Sequence, residues 1–146
     1  MTAAFNKFSA FSNSSFGLGA VALASDTLNI MFTKPASPPP SIAAVYGDVS
    51  SQEIASGNGY PLGGLQALQA SSGLVGVTYT LKLSNVTLNA LGAIGPFRYI
   101  ILYSTKTTVL PKPLIGWWDY GSPITLSEGE PFTVAFDSAL GVVTLQ

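Results

Sequence analysis

The segment from Gly95 to Gly121 constrains the fold of this chain more than any other part. Two apolar, aromatic and β-prone runs flank the polar sequence from Ser104 to Thr108, which is the pattern of a β-hairpin. The segment contains both tryptophans, three of the six tyrosines and the only arginine, Arg98. We expect its aromatic residues to supply core packing and a subunit contact.

Arg98 needs a partner if its guanidinium turns inward, because an unpaired buried charge costs free energy. The candidate carboxylates are Asp119 on the adjacent predicted strand and Asp137 near the end of a later one. We predict that Arg98 pairs with one of them and that this ion pair fixes the register of the strands.

Three aromatic residues of the hairpin, Trp117, Trp118 and Tyr120, are candidate interface residues. Adjacent side chains of a strand point to opposite faces. We therefore predict that one tryptophan lies in the core and the other at an interface or rim. A sugar-binding platform is the alternative role for these rings.

The composition points to a subunit of a larger structure. The 146 residues fit one domain, since no linker divides residues 1–146. Only 9% of them are charged, against about a quarter in ordinary soluble domains, which indicates a membrane, an insoluble matrix or a large assembly. The longest apolar runs are far shorter than the ~20 residues of a spanning helix, and no secretory signal is visible. We predict an assembly subunit with no membrane partner.

The chain has no cysteine and no histidine. Disulfides, thiolate chemistry and Cys-ligated zinc are excluded, and so is the commonest general base. The Lys and Arg residues are scattered along the sequence, whereas a nucleic-acid-binding surface needs several of them on one face. We predict no enzymatic activity, no catalytic residues, no cofactor, no metal site and no nucleic-acid partner.

Two further motifs have structural explanations. The glycine-rich stretch from Gly57 to Gly64 lacks the lysine of a phosphate-binding loop, so a backbone that needs positive φ angles is favoured. Glu128 and Glu130 straddle a glycine in a predicted loop, where a solvated turn is favoured over a glycosidase pair or a calcium site.

Short alternating runs separated by turn signals about every 8 to 12 residues predict an all-β fold, an antiparallel β-sandwich or jelly roll. Asp26 to Thr33 is predicted to form a half-buried strand, and Leu74 to Leu83 a strand with one apolar face. A turn at Gly121 to Pro123 is predicted before a separate short strand from Ile124 to Leu126.

One or two short helices are expected near the N-terminal half. The spacing of apolar residues within residues 1–18 predicts a helix that lies on the body of the protein, or alternatively an arm that reaches a neighbouring subunit. Asp48 to Ser56 carries the capping signals of a second helix. Residues 34–41 contain four prolines and are predicted to form an extended loop, with a polyproline recognition peptide as the alternative.

Several motifs occur in the same order as in one known family. They are Asn6-Lys7-Phe8, Asp26-Thr27-Leu28, Gly57-Asn58-Gly59-Tyr60 with Gly63-Gly64, Gly95-Pro96-Phe97-Arg98-Tyr99 with Leu102-Tyr103, Pro113-Leu114-Ile115-Gly116 with Asp119 and Gly121, and Phe132-x-Val-x-Phe-Asp. Over most of its length the chain thereby resembles small virion proteins of tailed bacteriophages. It departs from them in having fewer charges and a longer proline-rich loop.

The resemblance implies a capsid-associated β protein, a decoration, cement or head-fibre-like component that sits as a homotrimer on the outer shell. The implied partner is the major capsid protein, and the implied location is the capsid surface of a virion, after synthesis in the host cytoplasm. The family offers no catalytic residues. Our first hypothesis is a non-enzymatic virion structural protein that self-associates and stabilises the major capsid shell. The alternative is a receptor- or carbohydrate-binding module of a tail or fibre.

Overall fold

A computed structural model describes residues 3–136 and the backbone of residues 143–145, and this part of the chain is mostly β-structure. Every pairing between strands is antiparallel, which confirms the predicted all-β fold. The strands are β1 (Asn6–Lys7), β2 (Leu28–Thr33), β3 (Leu65–Ala67), β4 (Gln69–Val75), β5 (Thr78–Leu83), β6 (Val86–Asn89), β7 (Ile94–Ser104), β8 (Leu114–Leu126), β9 (Pro131–Val134) and β10 (Val143–Leu145).

The described strands form three sheets. The largest has the order β1-β8-β7-β2-β3, the second has the order β10-β5-β4, and β6 pairs with β9. The larger hydrophobic core combines residues of β2 and β7 with Leu81 and Leu83 of β5 and Leu88 of β6. The two smaller sheets therefore pack on one face of the large sheet. The finer prediction of a jelly roll stays a prediction.

The large sheet is also covered on its second face. A smaller core cluster there consists of Phe8, Met31, Ala43, Val49, Ile101, Tyr103 and Leu114. Strand β2 lies between the two clusters, with Ile30 in the larger one and Met31 in the smaller one, both fully buried. The prediction of a half-buried strand was wrong, because β2 is an inner strand of a sheet covered on both sides.

The predicted hairpin is confirmed as the pair β7 and β8. The predicted turn at Gly121 to Pro123 was wrong, since β8 continues to Leu126 without a break. Strand β8 has more residues than β7 in this stretch, and they form a bulge. Phe97 and Tyr99 are two positions apart, whereas their partners Ile124 and Asp119 are five positions apart. Gly121 has a φ of 100° within this irregular stretch.

The predicted strand from Leu74 to Leu83 is instead a hairpin of β4 and β5. Val75 pairs with Thr78, so Gly76 and Val77 form a two-residue turn. Gly76 has a φ of 65°, as the first central residue of such a turn requires. The alternation of apolar residues through Val77 concealed this turn.

The N-terminal segment forms less helix than its spacing predicts. Residues before Phe8 form β1, which pairs with β8, and the helix is limited to α1 (Ala10–Ser12) followed by a π-helical turn (Asn13–Gly17). Phe8 and Phe11 are fully buried within the same chain. The alternative of an arm concerns a second copy and stays a prediction.

The second predicted helix, Asp48 to Ser56, was wrong. Two 3-10 turns (Tyr46–Asp48 and Ser50–Gln52) take its place. Asp48 Oδ2 does cap a turn, by accepting hydrogen bonds from the backbone N–H groups of Ala44 (2.9 Å) and Val45 (3.1 Å). Residues 34–41 contain no helix or strand, as expected of a proline-rich loop.

Candidate functional site

Arg98 forms a bidentate ion pair with Asp119. Its Nε donates to Oδ1 at 2.8 Å and its Nη2 donates to Oδ2 at 3.0 Å. The side chains are 31% and 36% exposed, so the pair lies at the surface of the sheet rather than in the core. Asp137, the other candidate, lies outside the described residues.

The ion pair is located at the register shift of the large hairpin. Asp119 is the last residue of β8 in the regular pairing, opposite Tyr99, and the bulge begins after it. Its Oδ1 also accepts a hydrogen bond from the backbone N–H of Gly121 at 2.8 Å. One carboxylate therefore holds Arg98 of the neighbouring strand and the first turn of the bulge, which supports the predicted role in strand register.

We expect the Asp119→Asn variant to lose stability mainly at neutral pH. The bonds from Arg98 lower the pKa of Asp119 below its ordinary value. A carboxyl with a lower pKa in the folded state contributes stability above its unfolded pKa of about 4, and loses it as the pH falls through the folded value. The melting temperatures of the variant and the natural protein should therefore differ near pH 7 and converge at an acid pH below both pKa values. Glu128→Gln, in an exposed loop, is the control; an equal difference at both pH values would contradict the prediction.

The three candidate interface aromatics do not share one surface. Trp117 borders the smaller core cluster and packs against Tyr99, whereas Trp118 borders the larger one and packs against Phe5. The tryptophans thus point to opposite faces as predicted, but both are half-buried, so the assignment of one to the core was wrong. Tyr120 is the exposed member of the set.

Glu53 has a buried carboxyl group that accepts several hydrogen bonds. The sequence did not reveal this role. Glu53 Oε1 accepts hydrogen bonds from the Tyr60 hydroxyl at 2.8 Å and from the backbone N–H of Gly63 at 2.7 Å, and its Oε2 accepts one from the Tyr46 hydroxyl. The Tyr60 hydroxyl in turn accepts a bond from the backbone N–H of Phe32 at 3.0 Å. Glu53 therefore joins the glycine-rich turn to strand β2, and its role is structural.

We expect the tyrosines around Glu53 to make the fold sensitive to alkali. Burial, and then the proximity of Glu53, raises the pKa of Tyr46, Tyr60 and Tyr103 above the ordinary value. A tyrosine whose pKa is raised in the folded state contributes stability at pH values below its pKa in the unfolded state, about 10. As the pH rises above this value, the free energy of unfolding falls by at most ~1.4 kcal/mol per pH unit for each tyrosine.

The free energy of unfolding, measured by urea titration between about pH 9 and pH 11, should fall steeply. The slope should be shallower for Tyr60→Phe than for the natural protein and than for Tyr120→Phe, a substitution at the surface. Equal slopes for both variants would contradict this interpretation.

The second buried acid, Asp26, is also structural. Its Oδ2 accepts hydrogen bonds from the backbone N–H of Ala22 and from the Ser104 hydroxyl, both at 2.9 Å. Lys106 Nζ lies 3.8 Å from Oδ1. Asp26 thus joins the start of β2 to the end of β7.

The described residues contain neither a cluster of three metal-ligating side chains nor a helix long and apolar enough to span a membrane. A shallow and mainly apolar groove exists on the surface, and its only charged lining residue is Lys34. The groove is lined by Lys34, Pro35, Ala36, Ile54, Ala55, Gly95 and Pro96. Lys34 is the only residue of this lining that could act as an acid, base or nucleophile, so the groove offers no catalytic constellation.

The strongest candidate for a functional surface lies in the hairpin of β4 and β5. It consists of β4 with the residues beside it, from Leu68 through the two-residue turn to Thr78. Its apolar residues Leu74, Val75 and Val77 are 73%, 65% and 90% exposed. Leu74 and Val75 are adjacent in β4 and therefore point to opposite faces. No charged residue occurs between residues 54 and 81. Exposed apolar side chains of this density mark sites of protein interaction, so we call this segment the apolar hairpin.

Sequence reasoning missed the apolar hairpin because it treated Val75 and Val77 as members of a buried strand face. The glycine at position 76 was the available signal, since glycine between β-prone runs often marks a two-residue turn.

The chain matches no family model, no curated protein and no solved structure. The resemblance to bacteriophage virion proteins is therefore a prediction that rests on the sequence motifs.

Proposed function

We propose that this protein is a non-enzymatic structural subunit of a virion, a capsid decoration or cement protein that self-associates and stabilises the shell of the major capsid protein. The observation that carries the proposal is the apolar hairpin, which presents three large aliphatic side chains to solvent within an uncharged segment. The free energy falls when another protein covers such an apolar surface.

Burial of the apolar hairpin alone does not provide enough free energy for stable association, so the contact must be wider. Full burial of Leu74, Val75 and Val77 would contribute about 1.5 to 3 kcal/mol each. Association costs ~4 to 15 kcal/mol in lost freedom of motion. Leu68, at the start of the same segment, is also 59% exposed and enlarges the apolar surface. A contact of standard size, about 1,600 Å², repeated over a shell, would strengthen the shell at every copy.

The remaining parts of the proposal follow from the resemblance. The protein would form a homotrimer on the capsid surface of a virion after synthesis in the host cytoplasm, and its partner would be the major capsid protein. The buried acids Glu53 and Asp26 are engaged in structural hydrogen bonds, which agrees with a protein that acts by contact rather than by catalysis.

Binding to empty capsids of the phage that encodes the protein tests the proposal. The purified protein should co-sediment with the shells at a saturating stoichiometry, and Leu74→Asp with Val77→Asp should weaken this binding by at least about tenfold. Val109→Asp, at another exposed valine, is the matched control. Failure of the natural protein to bind the shells would refute the proposal.

A receptor- or carbohydrate-binding module of a tail or fibre is the second candidate, and the exposed ring of Tyr120 is the observation that favours it. This ring packs edge-on against Phe132, with 6.0 Å between centroids, which would hold it rigid for stacking on a sugar. A glycan array decides between the candidates: a signal that is lost in Tyr120→Ala, without binding to shells, would favour the module.

A further inference from the structure

We propose that strand β4 pairs edge to edge with β4 of a second copy of this chain, in antiparallel orientation about a two-fold axis. This inference rests on the self-association in the proposed function and identifies the surface responsible. It concerns the outer edge of the apolar hairpin, not the large β7–β8 hairpin.

β4 is an open edge. Among residues 3–136 and 143–145, its only paired neighbour is β5. Because Val75 and Thr78 close the two-residue turn, the alternation of antiparallel hydrogen bonding directs the backbone N–H and C=O groups of Ser72 and Leu74 away from β5. No other described strand pairs with these groups, so they can continue the ladder into another strand.

The edge of β4 has one feature that protects sheet edges, a register shift between Gln69 and Ser71, and none from Ser71 to Val75. It is seven residues long, whereas the other edge strands of the described sheets, β1, β3, β6, β9 and β10, have two to four. It contains no charged residue and no proline. The open side of β8 beyond Trp117, by contrast, carries Asp119 and Pro123. Charges and prolines at edges hinder pairing with other chains, and β4 is the longest edge strand of the described sheets that has neither.

A second copy is the occupant that this edge fits. An antiparallel pair about a two-fold axis is self-complementary, since each residue meets the same set of residues on the partner. Both sides are uncharged, so no like charges are brought together. An overlap centred on Ser72 places Ser72 opposite Ser72 and Gly73 opposite Ser71, within the regular part of β4. The small side chains at the centre permit close approach of the two backbones.

The central serine allows a charge-reversal test. Ser72 is exposed, so substitutions there should leave the fold intact. Ser72→Lys and Ser72→Asp each bring two like charges opposite one another, which destabilises a strand pair. The molar mass of either variant, measured by light scattering after size exclusion, should be half that of the natural protein. An equimolar mixture of the two variants should recover the full mass, because Lys then faces Asp.

A factor of two is the signature of this contact. The chain has a mass of 15.1 kDa, so the change would be from dimer to monomer or, if a separate three-fold contact exists, from hexamer to trimer. Ser37→Lys, at an exposed serine in the proline-rich loop, should leave the mass unchanged. An unchanged mass in the Ser72 variants, a fall to one third, or a mixture that fails to recover would overturn the proposal.

The test is separable from that of the proposed function. If the natural protein binds empty capsids but the Ser72 variants keep its mass, the edge pairing is wrong and the function stands. If the masses are halved and recovered but the natural protein does not bind shells, the pairing stands and the function is wrong. Circular dichroism and the melting temperature of each variant establish that the changes in mass come from a folded protein.

Discussion

Replacing Gly64 with alanine should destabilise the fold by about 2 to 5 kcal/mol, the sum of backbone strain and overpacking. Gly64 has a φ of 86°, which side chains of L-residues rarely adopt, and an added Cβ would overlap the backbone carbonyl oxygen of Ile30. That carbonyl cannot move aside easily, because Ile30 is paired with Leu65 on one side and Leu102 on the other. Urea unfolding followed by tryptophan fluorescence measures the loss.

A matched control separates the two causes. Gly129 has a φ of 84°, but an added Cβ there meets no atom within 4 Å. Gly129→Ala should therefore lose only the cost of the backbone conformation, about 1 to 2 kcal/mol. Equal losses in the two variants would show that contact with Ile30 does not matter.

The case of Gly64 shows what the sequence could predict. The density of glycines from Gly57 to Gly64 predicts positive φ angles, and the structure has them at Gly57, Gly59, Gly63 and Gly64. The contact with Ile30 was beyond prediction, since nothing in the local sequence relates the turn to a strand 34 residues earlier. Composition and spacing report on local backbone preferences, whereas packing partners depend on the whole topology.

The large hairpin shows the same difference between what the sequence predicts and what only the fold reveals. Its two runs and polar turn predicted the pairing of β7 with β8, and the single arginine pointed to Asp119 or Asp137 as a partner, of which the structure shows Asp119. The bulge that carries β8 through Pro123 was missed, because Gly121 and Pro123 are also the residues of an ordinary turn. The apolar hairpin was missed for the opposite reason: its residues resemble those of a buried strand, and only the fold reveals that both faces of β4 are exposed.

Glu53→Ala should produce a loss of similar size, about 3 to 5 kcal/mol, because it leaves three donors without their acceptor in a buried site. The donors are the hydroxyls of Tyr46 and Tyr60 and the backbone N–H of Gly63. Each buried polar group without a partner costs about 1 to 3 kcal/mol, and partial entry of water reduces the total. The free energy of unfolding at pH 7 is the measurement.

Glu53→Gln distinguishes hydrogen bonding from simple loss of volume. The amide oxygen can still accept from Tyr60 and Gly63, and the amide nitrogen can donate to the Tyr46 hydroxyl, which then acts as an acceptor. We expect a loss of only about 1 to 2 kcal/mol for this variant. If Glu53→Gln were as damaging as Glu53→Ala, the carboxyl group itself, and not the set of bonds it accepts, would be what joins the glycine-rich turn to β2. The ranking of these two variants therefore decides how this part of the fold is held.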